Sequence, residues 1–226
     1  QPETRLLALT GGKAAALSKM LGAGLPVPDG FVITTPAFSG AGFSVPIQLS
    51  RELNSLRADD PEQIARVSEK MRQIILRNGI NEDLAGQINS AYEKLGDRIS
   101  VSVRSSAVAE DLPSASFAGQ YATHLNVSGI TDILARILEV WASLYSSEAI
   151  FYRLRLDLPS DAIKMAVIVQ KQLRPDASGV VFTLDPVTGE SDRLTVNVAL
   201  GLGEGVVSGL VPSDTFIIGK VGKEII

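Results

Sequence analysis

Residues 103–120 read VRSSAVAEDLPSASFAGQ. Serine, alanine and glycine dominate, with one arginine, Arg104, and one acidic pair, Glu110 and Asp111. Side chains this small cannot build a core, but they leave backbone N–H groups open to close approach by a ligand. Just upstream, Ile99 to Arg104 alternates apolar and polar residues, the period of a half-buried strand. A strand therefore delivers Arg104 to the mouth of a small-residue loop, and Tyr121–Val127 resumes as a further strand. Phe117, in the middle of the loop, predicts that the loop packs onto something.

Outward from this stretch, helical patterns lie on the amino-terminal side. Gly11 and Gly12 precede an Ala-rich helix, KAAALSKML, that stops near Gly22 and Gly24. Pro26 and Pro28 hold the next segment extended, with Phe31-Val32-Ile33 as a short buried strand. Residues 39–48 are the most linker-like. Asp60 and Pro61 open a helix with Ile64, Val67, Met71, Ile74 and Ile75 on one face. Asn81 caps another, with Leu84, Ile88, Tyr92 and Leu95, ended by Gly96. On the carboxyl-terminal side one long helix is expected over 131–152. Strands follow at 165–173, 178–185 and 194–200, where β-branched residues concentrate. Helices then strands predicts an α+β protein rather than a doubly wound sheet.

The totals narrow the chemistry. A chain of 226 residues with net charge −4 and no basic cluster is a poor partner for nucleic acid or an anionic membrane. No apolar run approaches the roughly 20 residues that span a bilayer. The start lacks a signal-peptide pattern and an initiating Met, so a piece of a longer, cytoplasmic protein is expected. With no Cys and a single His, thiolate chemistry, the common zinc sites and a Ser-His-Asp triad all fall away. Alternation places that one histidine, His124, opposite Thr123, Leu125 and Val127 and so toward solvent. TGGKAAA lacks the first Gly and the Ser/Thr of a P-loop, and GLGEGVVSG lacks the third Gly and downstream acid of a dinucleotide fingerprint.

Scattered anion-binding features remain. Lys13 follows Gly-Gly at a helix start, where free N–H groups favour phosphate; its plain alternative is an exposed lysine on a first turn. Arg104 either grips phosphate oxygens or pairs with Glu110 or Asp111. Ser114, Ser116, Ala118 and Gly119 leave donors free to fold over a ligand. Gln170, in an apolar strand, either faces a base edge or is a structural amide. Glu204 either faces a phosphate or metal, or caps its turn.

Together, GGKAAALSKMLGAGLPVPDGFVITTPAF, SVRSSAVAEDLPSASFAGQYATHLNV, WASLYSSEAIFYR and SGVVFTLDPVTGE with GLGEGVVSGLVPSDTF resemble one family. It is the amino-terminal ATP-binding region of phosphoenolpyruvate synthases, of the related rifampicin phosphotransferases and, more distantly, of pyruvate phosphate dikinases. Residues 39–98 match only in helical pattern.

The resemblance implies an ATP-grasp-like fold of two lobes, 1–172 and 173–226, that clasp ATP and Mg2+. It implies that Lys13 contacts the phosphates and that Arg104 neutralises charge during transfer. Ser116 and Gly119 in the loop and Thr123 after it would line the phosphate site, with Gln170 beside the adenine and Glu204 a further contact. The β,γ-diphosphate would pass to a histidine on a separate swivelling domain, and from there to a small-molecule acceptor held by another domain. Pyruvate is the expected acceptor and rifampicin the alternative; a non-catalytic nucleotide-binding module is a third reading. The family's later acidic metal-ligand and QARP-like motifs do not occur before Ile226, so the second lobe is expected to be incomplete and this chain alone inactive.

Overall fold

The helix that carries Lys13 begins well before the Gly-Gly pair. In the computed structural model, α1 (Pro2–Gly22) is bent at Gly11, whose φ of 72° and ψ of 173° are not helical. The structure describes residues 2–41, 43, 45–108, 111–112, 115–116, 121–158, 164–222 and 224–225, with backbone alone at 2, 111, 112, 115 and 116. The chain divides into two units, Gln1–Gln172 and Leu173–Ile226.

In the first unit α1 leads to β1 (Gly30–Ile33), α2 (Thr35–Gly40), α3 (Ile47–Asn54), α4 (Pro61–Asn78) and α5 (Glu82–Leu95). The caps fall where the sequence puts them. The Asp60 carboxylate accepts from the Gln63 amide at 2.9 Å, and the Asn81 side chain from the Leu84 amide at 2.9 Å. Then come β2 (Val101–Ala107), β3 (Asp111–Leu112), β4 (Ala115–Ser116), β5 (Thr123–Val127), α6 (Ile130–Ser143), α7 (Ser147–Arg155) and β6 (Met165–Lys171).

One sheet organises the unit, in the order β1-β6-β2-β5, antiparallel throughout. Because side chains alternate, β2 has two different faces. Val101, Val103 and Ala107 join Met165, Val167 and Val169 of β6 in the main core, with Ile133, Ile137 and Trp141 of α6. Phe38 and Phe43 pack edge-on against Trp141, with ring centroids at 5.6 and 5.8 Å. The helical layer has its own smaller cluster, including Leu49, Leu56, Ile64, Val67, Met71 and Ile150. The other face of β2 carries Ser102, Arg104 and Ser106.

Two expectations are corrected here. The single long helix over 131–152 is two, because the chain turns at Leu144–Ser146 and the Ser146 hydroxyl caps α7 by accepting from the Ala149 amide. His124 does not face solvent. A register shift between Val101 and Val103 adds a residue to β5, where Asn126 takes φ 56°. Val127 and His124 therefore oppose Val101 and Val103 on the same face, although alternation alone would separate them. His124 Nε2 lies 3.2 Å from Glu139 of α6. Burial holds the imidazole pKa below its ordinary value, Glu139 opposes that and Arg136 adds to it.

The second unit is a three-stranded antiparallel sheet, β7 (Ala177–Phe182), β8 (Arg193–Leu200) and β9 (Asp214–Gly219), with α8 (Gly203–Val207) between its last two strands. Asp185, expected at a strand end, builds the β7–β8 turn instead. Its carboxylate accepts from the amides of Val187 at 2.8 Å and Thr188 at 2.9 Å. These two donors hold the Asp185 carboxyl below the usual carboxylate range. Both units fit a mixed α/β protein with antiparallel sheets. Among the described residues, no helix is long and apolar enough to cross a membrane.

Candidate functional site

Cross-strand register decides which candidate residues meet. Arg104 stands directly opposite Thr123 on β5 and Ile168 on β6, and Ser102 stands opposite Gln170. Directly paired residues share a face, as do residues two apart along a strand. Arg104, Thr123 and Gln170 therefore project from one face of the sheet, opposite the α6 core.

The same face receives α1. Ser106, two residues beyond Arg104, has its hydroxyl 2.7 Å from the Thr10 carbonyl and 3.1 Å from the Ala14 amide. Lys13 thus lies in the first turn after the bend, over the Ser106 end of β2. Along β2 the sequence of levels is Gln170 beside Ser102, then Arg104 with Thr123, then the restart of α1 with Lys13. Each step of two residues is about 7 Å.

The burial of these residues differs in a useful way. Thr123 is exposed, Lys13 and Arg104 are half-buried, and Gln170 is buried. Among the described residues, the Arg104 guanidinium has no hydrogen-bond or ion-pair partner. Glu110, one of its two suggested partners, lies outside the described residues, as does the side chain of Asp111. Gln170 has the structural-amide role: its Nε2 donates to the Pro28 carbonyl at 2.9 Å and ties the segment before β1 to β6.

The described residues of the small-residue stretch form a ladder. Asp111 pairs with Ser116 and Leu112 with Ala115 through the backbone, which makes β3 and β4 a short antiparallel pair. Ser116 is thereby placed, though not its side chain. Gly119, Phe117, Ser114 and Ala118 lie outside the described residues. Glu204 belongs to the second unit, in the first turn of α8, where it is exposed and its carbonyl accepts the Ser208 hydroxyl at 2.6 Å.

Sequence reading missed two buried polar residues, Ser106 in this region and Arg153 outside it. Ser106 was passed over as one small residue among many, although a period of two from Arg104 put it on the same face. Arg153 of α7 is buried, with its guanidinium over the Tyr145 ring at 5.6 Å. Burial lowers its pKa, and nearby Tyr121 and Tyr145 oppose that. Its spacing of three and four from the buried Ile150 and Ala149 puts it on the inner face of α7, but an arginine at that position reads from sequence as a solvated charge.

Comparison with known proteins shows a nucleotide-binding family. The family described as "Pyruvate phosphate dikinase, AMP/ATP-binding domain" matches residues 7–226. A phosphoenolpyruvate synthase of Aeropyrum pernix is 41% identical over 98% of this chain and 28% of its own length. A rifampicin phosphotransferase of Streptomyces sviceus is 44% identical over 93% of this chain and 24% of its own length. A probable phosphoenolpyruvate synthase of Archaeoglobus fulgidus is 41% identical over 96% of this chain and 30% of its own length. The chain thus spans between about a quarter and a third of these relatives.

Proposed function

The chain belongs to the pyruvate phosphate dikinase AMP/ATP-binding domain family, and from that premise we propose that the α1-facing side of the first unit's sheet binds the triphosphate of ATP. One observation supports this most: the helix restart bearing Lys13, the exposed Thr123 and Arg104, whose guanidinium has no partner among the described residues, share that face. Two cations, a hydroxyl and the backbone donors of a helix start are a donor set suited to phosphate oxygens. Gln170 marks the adenine end of the row. Its amide already serves Pro28, so it borders the base rather than reading it through the same N–H.

We further assign to the chain an ATP-grasp-like fold, with 1–172 as the first lobe and 173–226 as part of the second. Ser116, Gly119 and Glu204 complete the nucleotide contacts in this reading. Among the described residues no group of three or more His, Asp or Glu could hold a cation. Mg2+ commonly keeps its waters and binds substrate phosphates with one or two carboxylates, so it is assigned here to the nucleotide rather than to a protein cage.

In the longer protein, a histidine of a swivelling domain takes the β,γ-diphosphate and AMP leaves, with a cytoplasmic location. Arg104 then stabilises charge on the transferring group. Pyruvate is the proposed final acceptor. Rifampicin is the second reading, because a rifampicin phosphotransferase is as similar to this chain as the synthases are. Calorimetric titration with Mg-ATP tests the site. Lys13→Ala should weaken binding about tenfold or more, the scale of one charge-assisted contact; affinity equal to the unsubstituted chain would refute the assignment.

A further inference from the structure

The Ser106 hydroxyl sits inside the bend of α1. It donates to the Thr10 carbonyl at 2.7 Å and accepts from the Ala14 amide at 3.1 Å. Those two groups, four residues apart, are the pair that an unbroken α-helix bonds to each other. Insertion of a side chain into the i→i−4 ladder is a recognised cause of a sharp helix bend. Gly11 permits it, since its φ of 72° suits glycine and an added Cβ would lie 2.6 Å from Ser106 Oγ. Ser106 itself is fully buried and belongs to β2, two residues from Arg104 on the same face. A single oxygen therefore fastens the restart of α1, at the residue next to Lys13, to the strand that presents Arg104.

We propose that Ser106 is a positioning residue for the nucleotide: it sets the spacing between Lys13 and Arg104 without touching the ligand. This rests on the reading of those two residues as phosphate contacts. Without the hydroxyl, the Thr10 carbonyl and the Ala14 amide lose a buried partner. They regain one by closing toward each other, which straightens the helix and carries Lys13 away from Arg104. Small displacements of positioned cations are costly for phosphate recognition, because the site works by geometry rather than by covalent chemistry.

A double-mutant cycle on the 226-residue chain, read by Mg-ATP calorimetry, tests this. Ser106→Ala should weaken ATP binding about tenfold in the unsubstituted background and not at all beyond Lys13→Ala in the Lys13→Ala background. Amide exchange at Ala14 should quicken in Ser106→Ala. Ser106→Cys, similar in size with a weak donor and acceptor, should fall between and serves the cycle if the alanine variant does not fold. Unchanged affinity in Ser106→Ala overturns the proposal. So does the same loss in both backgrounds, which would mark a purely structural role. If Lys13→Ala binds like the unsubstituted chain, or the chain binds no ATP, the nucleotide reading itself fails. If Lys13→Ala weakens binding and Ser106→Ala does not, this inference alone fails.

Discussion

Gly11→Ala should abolish nucleotide binding and leave the first unit at best marginally folded. Two independent effects act at this position. The φ of 72° costs an L-residue on the order of 1–3 kcal/mol. The added Cβ would also fall within the contact radius of the Ser106 carbonyl oxygen, which is backbone of a central strand and cannot swing aside. Either α1 separates from β2 or β2 shifts out of register with β6. Both lose several kcal/mol from a total stability of about 5–15 kcal/mol. Denaturant melts should show a lowered midpoint, with Mg-ATP no longer raising it. A midpoint within experimental error of the unsubstituted chain would show that α1 is not held against Ser106 in this way.

Arg104→Ala should have the opposite profile, a large functional loss on an intact fold. Its guanidinium has no hydrogen-bond or ion-pair partner among the described residues, so its removal leaves no orphaned group there. The residue is half-buried and its backbone ladder to Thr123 and Ile168 persists in the variant. A charge-assisted contact is worth about 1.5–3 kcal/mol, which corresponds to a roughly ten- to hundredfold loss of ATP affinity. Arg104→Lys should recover only part of it, because a point charge cannot reproduce a bidentate fork. A melting temperature unchanged to within a few degrees, beside that loss, is the expected signature. Full retention of affinity in Arg104→Ala would remove this residue from the site.

The contrast between these variants follows from what the residues are bonded to, and it also explains what the sequence could reveal. The alternation around Val101–Arg104 announced the strand and which side of it is apolar. Gly11-Gly12-Lys13 announced a helix start, and the structure places a restart there inside a longer helix. These are properties of one segment, and periodicity or local backbone preference is enough to read them. Register is a property of two segments. The extra residue in β5 that turns His124 toward Glu139 arises from pairing with β2, and no pattern within 123–127 contains it.

The break between α6 and α7 was closer to legible. Ser146 precedes Ser147-Glu148-Ala149, a fair cap signal, but the apolar spacing continues past it. Ile150 belongs to the smaller helical cluster, while Ile133, Ile137 and Trp141 belong to the main core. One run of apolar residues thus serves two cores, and the pattern alone reads as one helix. Ser106 shows a different limit. Its hydroxyl bonds residues more than 90 positions away, and a buried serine in a serine-rich stretch has no local mark of that role.

The central claim is that ATP binds on the α1 side of the first unit's sheet. Hydrogen exchange of the 226-residue chain, with and without saturating Mg-ATP, locates the ligand directly. The account predicts slowed exchange in the turn around Lys13, in β2 around Arg104 and at Thr123, with no change along α6 around Ile137 and Glu139. Protection centred on α6 with residues 11–15 and 102–106 unaffected would contradict it.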